Sequence, residues 1–247
     1  MTKKSPQYLS RNDIEQIAQR VSSAYQKLPA VQKETDGVVH PMLLIRDLLG
    51  LSVECHALSP DGSILGLTSC GEVWVPVYDD PANPEYCHLD GKTLLVDRKL
   101  AEGTNQGRYH FTLVHEACHQ IYRMLFPKAY AWDVAARKIH FCTAQRAMSH
   151  GDWEEWRTDT LASAILMPQN MVQDNMRIFG LGDKLRILNR VFAPSEYNRF
   201  CEMADHMGVS KQALAIRLKR LGLLERDCLQ DPYSLINIFP DDRGKVG

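Results

Sequence analysis

The chain is 247 residues long and 45% hydrophobic, with 29 basic against 30 acidic residues and a formal net charge of −1. That length and apolar content can bury a sizeable core in one large domain or in one domain with a small appendage, and the balanced charge supplies no global positive field for nucleic acid or anionic lipid, so any DNA contact has to be local. Seven cysteines (Cys55, Cys70, Cys87, Cys118, Cys142, Cys201 and Cys228), odd in number and never spaced Cys-x-x-Cys, argue against a disulfide framework and a thiolate zinc knuckle and point to a reducing cytoplasm.

The sequence opens without an apolar signal region, and no stretch approaches the roughly 20 apolar residues of a membrane span, so neither secretion by that route nor membrane insertion is expected. From Ser10 to about Leu28, Ile14, Ile17, Val21 and Tyr25 recur at helical spacing, with Ser10 or Asn12 available as N-cap. Between Val53 and Val96 the runs "VECHALS", "SILGLTS", "EVWVPVYDD" and "KTLLVD", separated by "PDG", "CG" and "DPANPEY", predict a small sheet of three to four strands. From Gly107 to Gly180 the pattern is helical, with a further helix after Pro168, and the stretch from Leu181 onward holds more helices.

Within that helical zone "FTLVHEACHQIYR" contains His-Glu-x-x-His. As a helix it places Phe111, Val114, Cys118, Ile121 and Leu125 on one apolar stripe, while His115 and His119, one turn apart, project together from the adjoining face. Two imidazoles so placed can bind one ion, and Glu116 can take the proton from a metal-activated water as it attacks a carbonyl. A surface helix with two incidental histidines is the plain alternative. A catalytic zinc site usually has three protein ligands, and "WEEWRTDTLASAILMP" offers the third. Glu155 and Asp159 share one helical face, so Glu155 can complete the ligand set while Asp159 accepts a hydrogen bond from a ligand histidine. Glu154 competes for the ligand role but reads better as a solvated acid near a helix start. An oxyanion donor stays unassigned among Tyr109, Tyr122, His140 and His150.

Together "HFTLVHEACH" (110–119), "EEWRTDTLASAILMP" (154–168) and "MADHMGVSKQALAIRLKRLGLL" (203–224) resemble the ImmA/IrrE family of zinc-dependent metallopeptidases, over most of the chain from about His40. The family pattern Arg-Phe-Thr-Leu-Ala-His-Glu-x-Gly-His, then Glu-x-x-Ala-Asn/Asp-x-Phe-Ala and Leu-Met-Pro, then Val-Ser-x-x-Ala-x-x-x-Arg-Leu, is met at Phe111, Thr112, Leu113, His115, Glu116, His119, Glu155, Asp159, Ala162, Leu166, Met167, Pro168, Val209, Ser210, Ala213, Arg217 and Leu218. It departs at His110 for arginine, Cys118 for glycine, and Thr158 and Leu161 where alanine and phenylalanine are common. Cys118, on the apolar stripe, reads as a buried small hydrophobe, and His110 as a helix-entrance residue that caps or meets substrate. The resemblance implies zinc (Zn2+) on His115, His119 and Glu155 with Glu116 as general base. It also implies a regulatory protease of bacteria or their mobile elements that cleaves a helix-turn-helix repressor and so relieves repression.

"NRFCEMADHMGVSKQALAIRLKRLGLL" outlines two helices around a tight turn at Met207-Gly208, the second capped by Ser210, stopped by Gly222, with Lys211, Arg217, Lys219 and Arg220 along or near its outer surface. If it read DNA, Lys211 and Gln212 would meet base edges; a helical hairpin whose basic face is solvated or contacts a protein is favoured, since the overall charge is neutral. The expectation is an α+β, zincin-like metallopeptidase domain over residues 1–180, a small sheet plus helices carrying His-Glu-x-x-His, with a helix-turn-helix-like helical extension over 181–247. The alternatives are a DNA-binding regulator with a vestigial or structural metal site, and a partner-binding module that uses metal only for folding.

Overall fold

The computed structural model describes residues 6–34, 36–144 and 153–236. The first long helix, α1 (Arg11–Tyr25), starts at a capping box. Asp13 N–H donates to Ser10 Oγ at 3.2 Å and Ser10 N–H donates back to Asp13 Oδ2 at 2.9 Å, so Ser10, not Asn12, is the cap. The helix buries Ile14, Ala18, Ser22 and Tyr25, a row spaced four, four and three residues apart, whereas Ile17 and Val21 of the expected stripe lie at its half-buried border. It is followed by α2 (Pro41–Leu43), which runs directly into a π-turn at Leu44–Leu48.

The strands are β1 (Ser52–His56), β2 (Ile64–Ser69), β3 (Glu72–Val77), β4 (Glu85–Asp90), β5 (Thr93–Asp97) and, later in the chain, β6 (Ile139–Thr143). Four of them form one sheet in the order β1-β5-β2-β6, parallel between β1 and β5 and antiparallel elsewhere. This corrects the sequence reading in three places. "EVWVPVYDD" forms β3 outside that sheet, in a separate hairpin with β4, and β4 begins inside "DPANPEY", which had read as a turn. The third is β6, in the zone read as helical: it alternates in the strand manner, with His140 and Cys142 buried and Phe141 exposed. Its inward side chains are polar or small, so the apolar alternation that marks a strand is missing.

Short helices α3 (Arg98–Glu102) and α5 (Ala131–Ala135) flank the long α4 (Gln106–Leu125), and α6 (Trp153–Leu166) and α7 (Gln169–Ile178) follow. One face of the sheet meets α4 through Leu65, Leu94 and Val96 against Leu113 and Ala117. The opposite face carries the β3–β4 hairpin, with Leu67 and Leu95 against Val75, Val77 and Leu89. Burial on both faces explains why β5 is buried at all five positions.

Beyond residue 180 come β7 (Leu185–Leu188), α8 (Pro194–His206), α9 (Lys211–Arg220) and β8 (Leu224–Asp227). The parallel pair β7–β8 is a second correction to an all-helical expectation, and at four residues each these strands are too short to show a period. The α8–α9 turn follows the sequence: Gly208 takes φ +60°, Ser210 Oγ accepts from Ala213 N–H at 3.1 Å, and Gly222 takes φ +71°. Arg217, read as part of the basic outer surface, is instead 3% exposed. Its guanidinium pairs with Glu15 of α1 and Nε donates to the Met167 carbonyl at 2.9 Å. Leu185, Phe200, Met203, Leu214 and Leu218 lie in the same hydrophobic core as Ile14, Val114 and Leu161, so the core runs continuously across position 180.

Candidate metal centre

Helix α4 begins at Asn105, whose side chain accepts from Arg108 N–H at 3.0 Å, and every residue from Thr112 to Tyr122 is buried because the sheet lies under it and α6 beside it. Gln120 ties it to β2, donating to Thr68 Oγ1 at 2.6 Å and the Ser69 carbonyl at 2.9 Å. His115, Glu116 and His119 are thereby carried inside at 0%, 1% and 4% exposure, where polar groups are costly unless engaged.

Helix α6 supplies what engages them. Glu155 Oε2 stands 3.2 Å from His115 Nε2, and Glu155 Oε1 stands 3.4 Å from His119 Nε2. The two Nε2 atoms are 3.2 Å apart. One helical turn on, Asp159 Oδ1 accepts from His115 Nδ1 at 3.0 Å, which fixes the proton on Nδ1 and leaves Nε2 as a lone pair facing Glu155 and His119. Glu154 is turned elsewhere, accepting from Lys138 Nζ at 2.8 Å. The structure therefore brings His115, His119, Glu155 and Asp159 together, while Glu154, with a donor atom within 4.8 Å of His119 and His140, is engaged by Lys138 instead.

The spacing can be tested against an ion. Nitrogen and oxygen donors at 2.0–2.1 Å from a tetrahedral zinc stand about 3.3 Å from one another; here the two Nε2 atoms are 3.2 Å apart and each faces its own Glu155 oxygen, Oε2 at 3.2 Å and Oε1 at 3.4 Å, so the carboxylate spans the pair. Two imidazoles and a carboxylate are a donor set that zinc accepts. Burial works against the charge on Glu155, but its interaction with His115 and His119 outweighs it, holding the carboxyl well below its usual range.

Glu116 points toward β2. A Cβ built on Gly66 would stand 2.6 Å from Thr112 Cγ2 and 3.1 Å from Glu116 Cγ, so the absence of a side chain there makes room for the carboxylate. His140 of β6 stacks on His119 with ring centroids 4.1 Å apart. Burial, reinforced by His119, pushes its imidazole down to about 3 and keeps it neutral. Sequence reasoning missed Gly66 and the role of Lys138 in holding Glu154; a glycine inside the run "SILGLTS" is the signal that marks a close approach.

The other expected residues fall as follows. Cys118 is fully buried and its thiol is pushed well up by burial, so it serves as a small core residue. Tyr122 O–H is spent on the Arg157 carbonyl at 3.2 Å, and Tyr109 packs half-buried beside the sheet. His150 lies outside the described residues. Of the three described oxyanion candidates, His140 is the one seated against the histidine pair. His110 neither caps α4 nor enters the site, since its Nδ1–H donates to the Gly208 carbonyl at 3.0 Å. Thr158 O–H bonds back to the Glu154 carbonyl at 2.9 Å, and Leu161 is core. Trp153 is 67% exposed and stacks edge-on against Trp156 at 5.7 Å.

A cavity of about 430 Å³ opens beside Asp159, between the start of α4, α6 and α9, with Phe111, Leu166, Met167, Val209 and Ile216 in its walls. No helix among the described residues is long and apolar enough to cross a membrane. Neither a scan against protein-family models nor a search of curated proteins finds a match to this sequence.

Proposed function

We propose that this chain is a zinc-dependent peptide hydrolase of the zincin-like kind, with His115, His119 and Glu155 as ligands and Glu116 as proton acceptor. The observation that carries the reading is the donor cluster, two Nε2 atoms 3.2 Å apart with one Glu155 oxygen on each at 3.2 and 3.4 Å, backed by Asp159 on His115 Nδ1. Bound there, zinc supplies Lewis acidity, which makes a water more acidic and polarises a scissile carbonyl. The remaining tasks fall to the chain. Asp159 holds the His115 tautomer and ring orientation. Glu116, buried beside Gly66, takes the proton of the attacking water and returns it to the leaving amine. The apolar walls of the cavity beside Asp159 suit a side chain of a polypeptide substrate.

The likeness to ImmA/IrrE peptidases names the substrate class as a helix-turn-helix repressor, cut in the cytoplasm so that repression is relieved. DNA reading by α8 and α9 is the lesser alternative. The N-terminal end of α9, which such a motif lays into the major groove, abuts the first turn of α4, where a Cβ on Gly107 would stand 2.6 Å from the Ser210 backbone nitrogen.

The test compares wild type with His115→Ala, Glu155→Gln and Glu116→Gln, each checked for folding by circular dichroism. The first two should hold one metal fewer per chain than wild type. Glu116→Gln should keep its metal and lose peptide hydrolysis by roughly 10²- to 10⁴-fold. Equal metal content in wild type and folded His115→Ala would remove the basis of the proposal, and duplex binding by Glu116→Gln that weakens with salt would favour the DNA reading.

A further inference from the structure

A second group of metal-type donors lies on the far side of the sheet, against the hairpin, and owes nothing to the centre just described. Glu54 and His56, two apart on β1, face the same side of the sheet. That side is the hairpin side, because Glu54 pairs with Leu95, whose side chain packs on Val75 and Leu89. From the hairpin comes Cys87 of β4. Glu54 Oε2 is 3.4 Å from His56 Nε2 and 3.7 Å from Cys87 Sγ, and one donor atom from each of the three residues falls within 4.8 Å of the others. Around a tetrahedral zinc, with sulfur at about 2.3 Å and nitrogen or oxygen at 2.0–2.1 Å, the corresponding distances are about 3.3 Å and about 3.6 Å.

The far side of the imidazole is also arranged. His56 Nδ1 is 2.7 Å from Asp79 Oδ2, and Asp79 is itself held by Ala57 N–H at 2.7 Å and Arg98 at 3.0 Å. A carboxylate on Nδ1 directs the Nε2 lone pair toward Glu54 and Cys87, as Asp159 does for His115. The competing cluster of Cys70, Asp133 and His140 lacks this openness, because Lys138 already places its ammonium between Asp133 and Glu154.

We propose that Glu54, His56 and Cys87 form a second metal site, for a borderline divalent cation of the zinc class, that clips the β3–β4 hairpin to β1. A thiolate and an imidazole select such an ion over calcium or magnesium. Cys87 gives up its proton to solvent on binding, so affinity rises with pH. The three ligands leave a fourth position for water, and their partial exposure gives the ion a path in.

Cobalt is the discriminating probe, since a cysteine thiolate on cobalt gives a near-ultraviolet charge-transfer absorption that the sulfur-free set of His115, His119 and Glu155 cannot. The full chain, stripped with chelator, is titrated with cobalt beside Cys87→Ser, Glu54→Gln, Asp79→Asn and Cys55→Ser, all checked for folding by circular dichroism. The wild type and Cys55→Ser should show the band with a second bound equivalent. Cys87→Ser should lose both, Glu54→Gln should weaken them, and Asp79→Asn should bind about 10- to 100-fold more weakly. Absence of the band in wild type, or its persistence in Cys87→Ser, overturns the proposal. Metal at the His115 centre is read separately, by the His115→Ala difference, so either site can fail without the other.

Discussion

Asp159→Asn isolates the part of the candidate centre that depends on one hydrogen bond. The amide keeps the size of the carboxylate and can still accept from His115 Nδ1, 3.0 Å away, but it removes the negative charge that makes the imidazole a better donor to a cation. Partners of this kind are worth about 10- to 100-fold in metal affinity, or about 1.4 to 2.7 kcal/mol. The side chain is 37% exposed, so the metal-free fold should change by less than about 0.5 kcal/mol. The assay is competition of stripped protein against a chelator of known affinity at fixed pH, in a Cys87→Ser background so that only the His115 centre is read. Urea unfolding of the metal-free chain supplies the stability control. Affinity equal to that of the parent, with the fold intact, would refute the argument that Asp159 tunes His115.

Gly66→Ala should act on Glu116 without touching the histidines. Its Cβ would stand 2.6 Å from Thr112 Cγ2 and 3.2 Å from Glu116 Oε1, so about 1–3 kcal/mol of stability is lost and hydrolysis falls while metal content is kept; unchanged hydrolysis would misplace Glu116. His110 bears on pH. Burial outweighs its bond to Gly208 and holds the imidazole below its ordinary range, so the unfolded chain binds the proton first and stability is lost as pH falls below about 6.5. His110→Asn keeps a donor for the Gly208 carbonyl but cannot titrate, so its Tm should fall less than that of wild type across that window; parallel curves would contradict the assignment.

The parts of the centre that were legible are those in which one helix does the placing. His115 with His119, and Glu155 with Asp159, stand four residues apart, and a helix converts that spacing into a shared face whatever the rest of the chain does. Their meeting across α4 and α6 was readable only as chemistry, from the need for a third ligand. The residues that crowd the site escaped because they arrive from far along the chain. Gly66 is 50 positions before Glu116, and Lys138 reaches Glu154 from the residue just before β6. Strand β6 itself was masked because its buried side chains, His140 and Cys142, do not look apolar. Arg217 was misread for the converse reason: a basic residue on a basic helix gives no local sign that Glu15, 202 positions earlier, waits inside.

The stretch from residue 181 to 236 is bound into the framework that holds the donor cluster. Phe200, Met203, Leu214 and Leu218 close the core over Leu161 and Ile165 of α6, and burying each such side chain is worth about 1.5–3 kcal/mol. Arg217 fastens α9 to the Met167 carbonyl just past the end of α6 and, through Glu15, to α1. The turn between α8 and α9 sits on α4 at His110 and Gly107. A fragment ending at residue 180 would expose this apolar surface on the helices whose spacing sets the 3.2 and 3.4 Å separations. For the four side chains together the loss is about 6–12 kcal/mol, as large as the 5–15 kcal/mol that a whole domain has in reserve. The fragment should therefore lack a cooperative unfolding transition and should not bind zinc. A folded, zinc-binding fragment would show instead that α1, α4 and α6 hold their spacing alone, and that the C-terminal helices are an appendage free to serve another purpose.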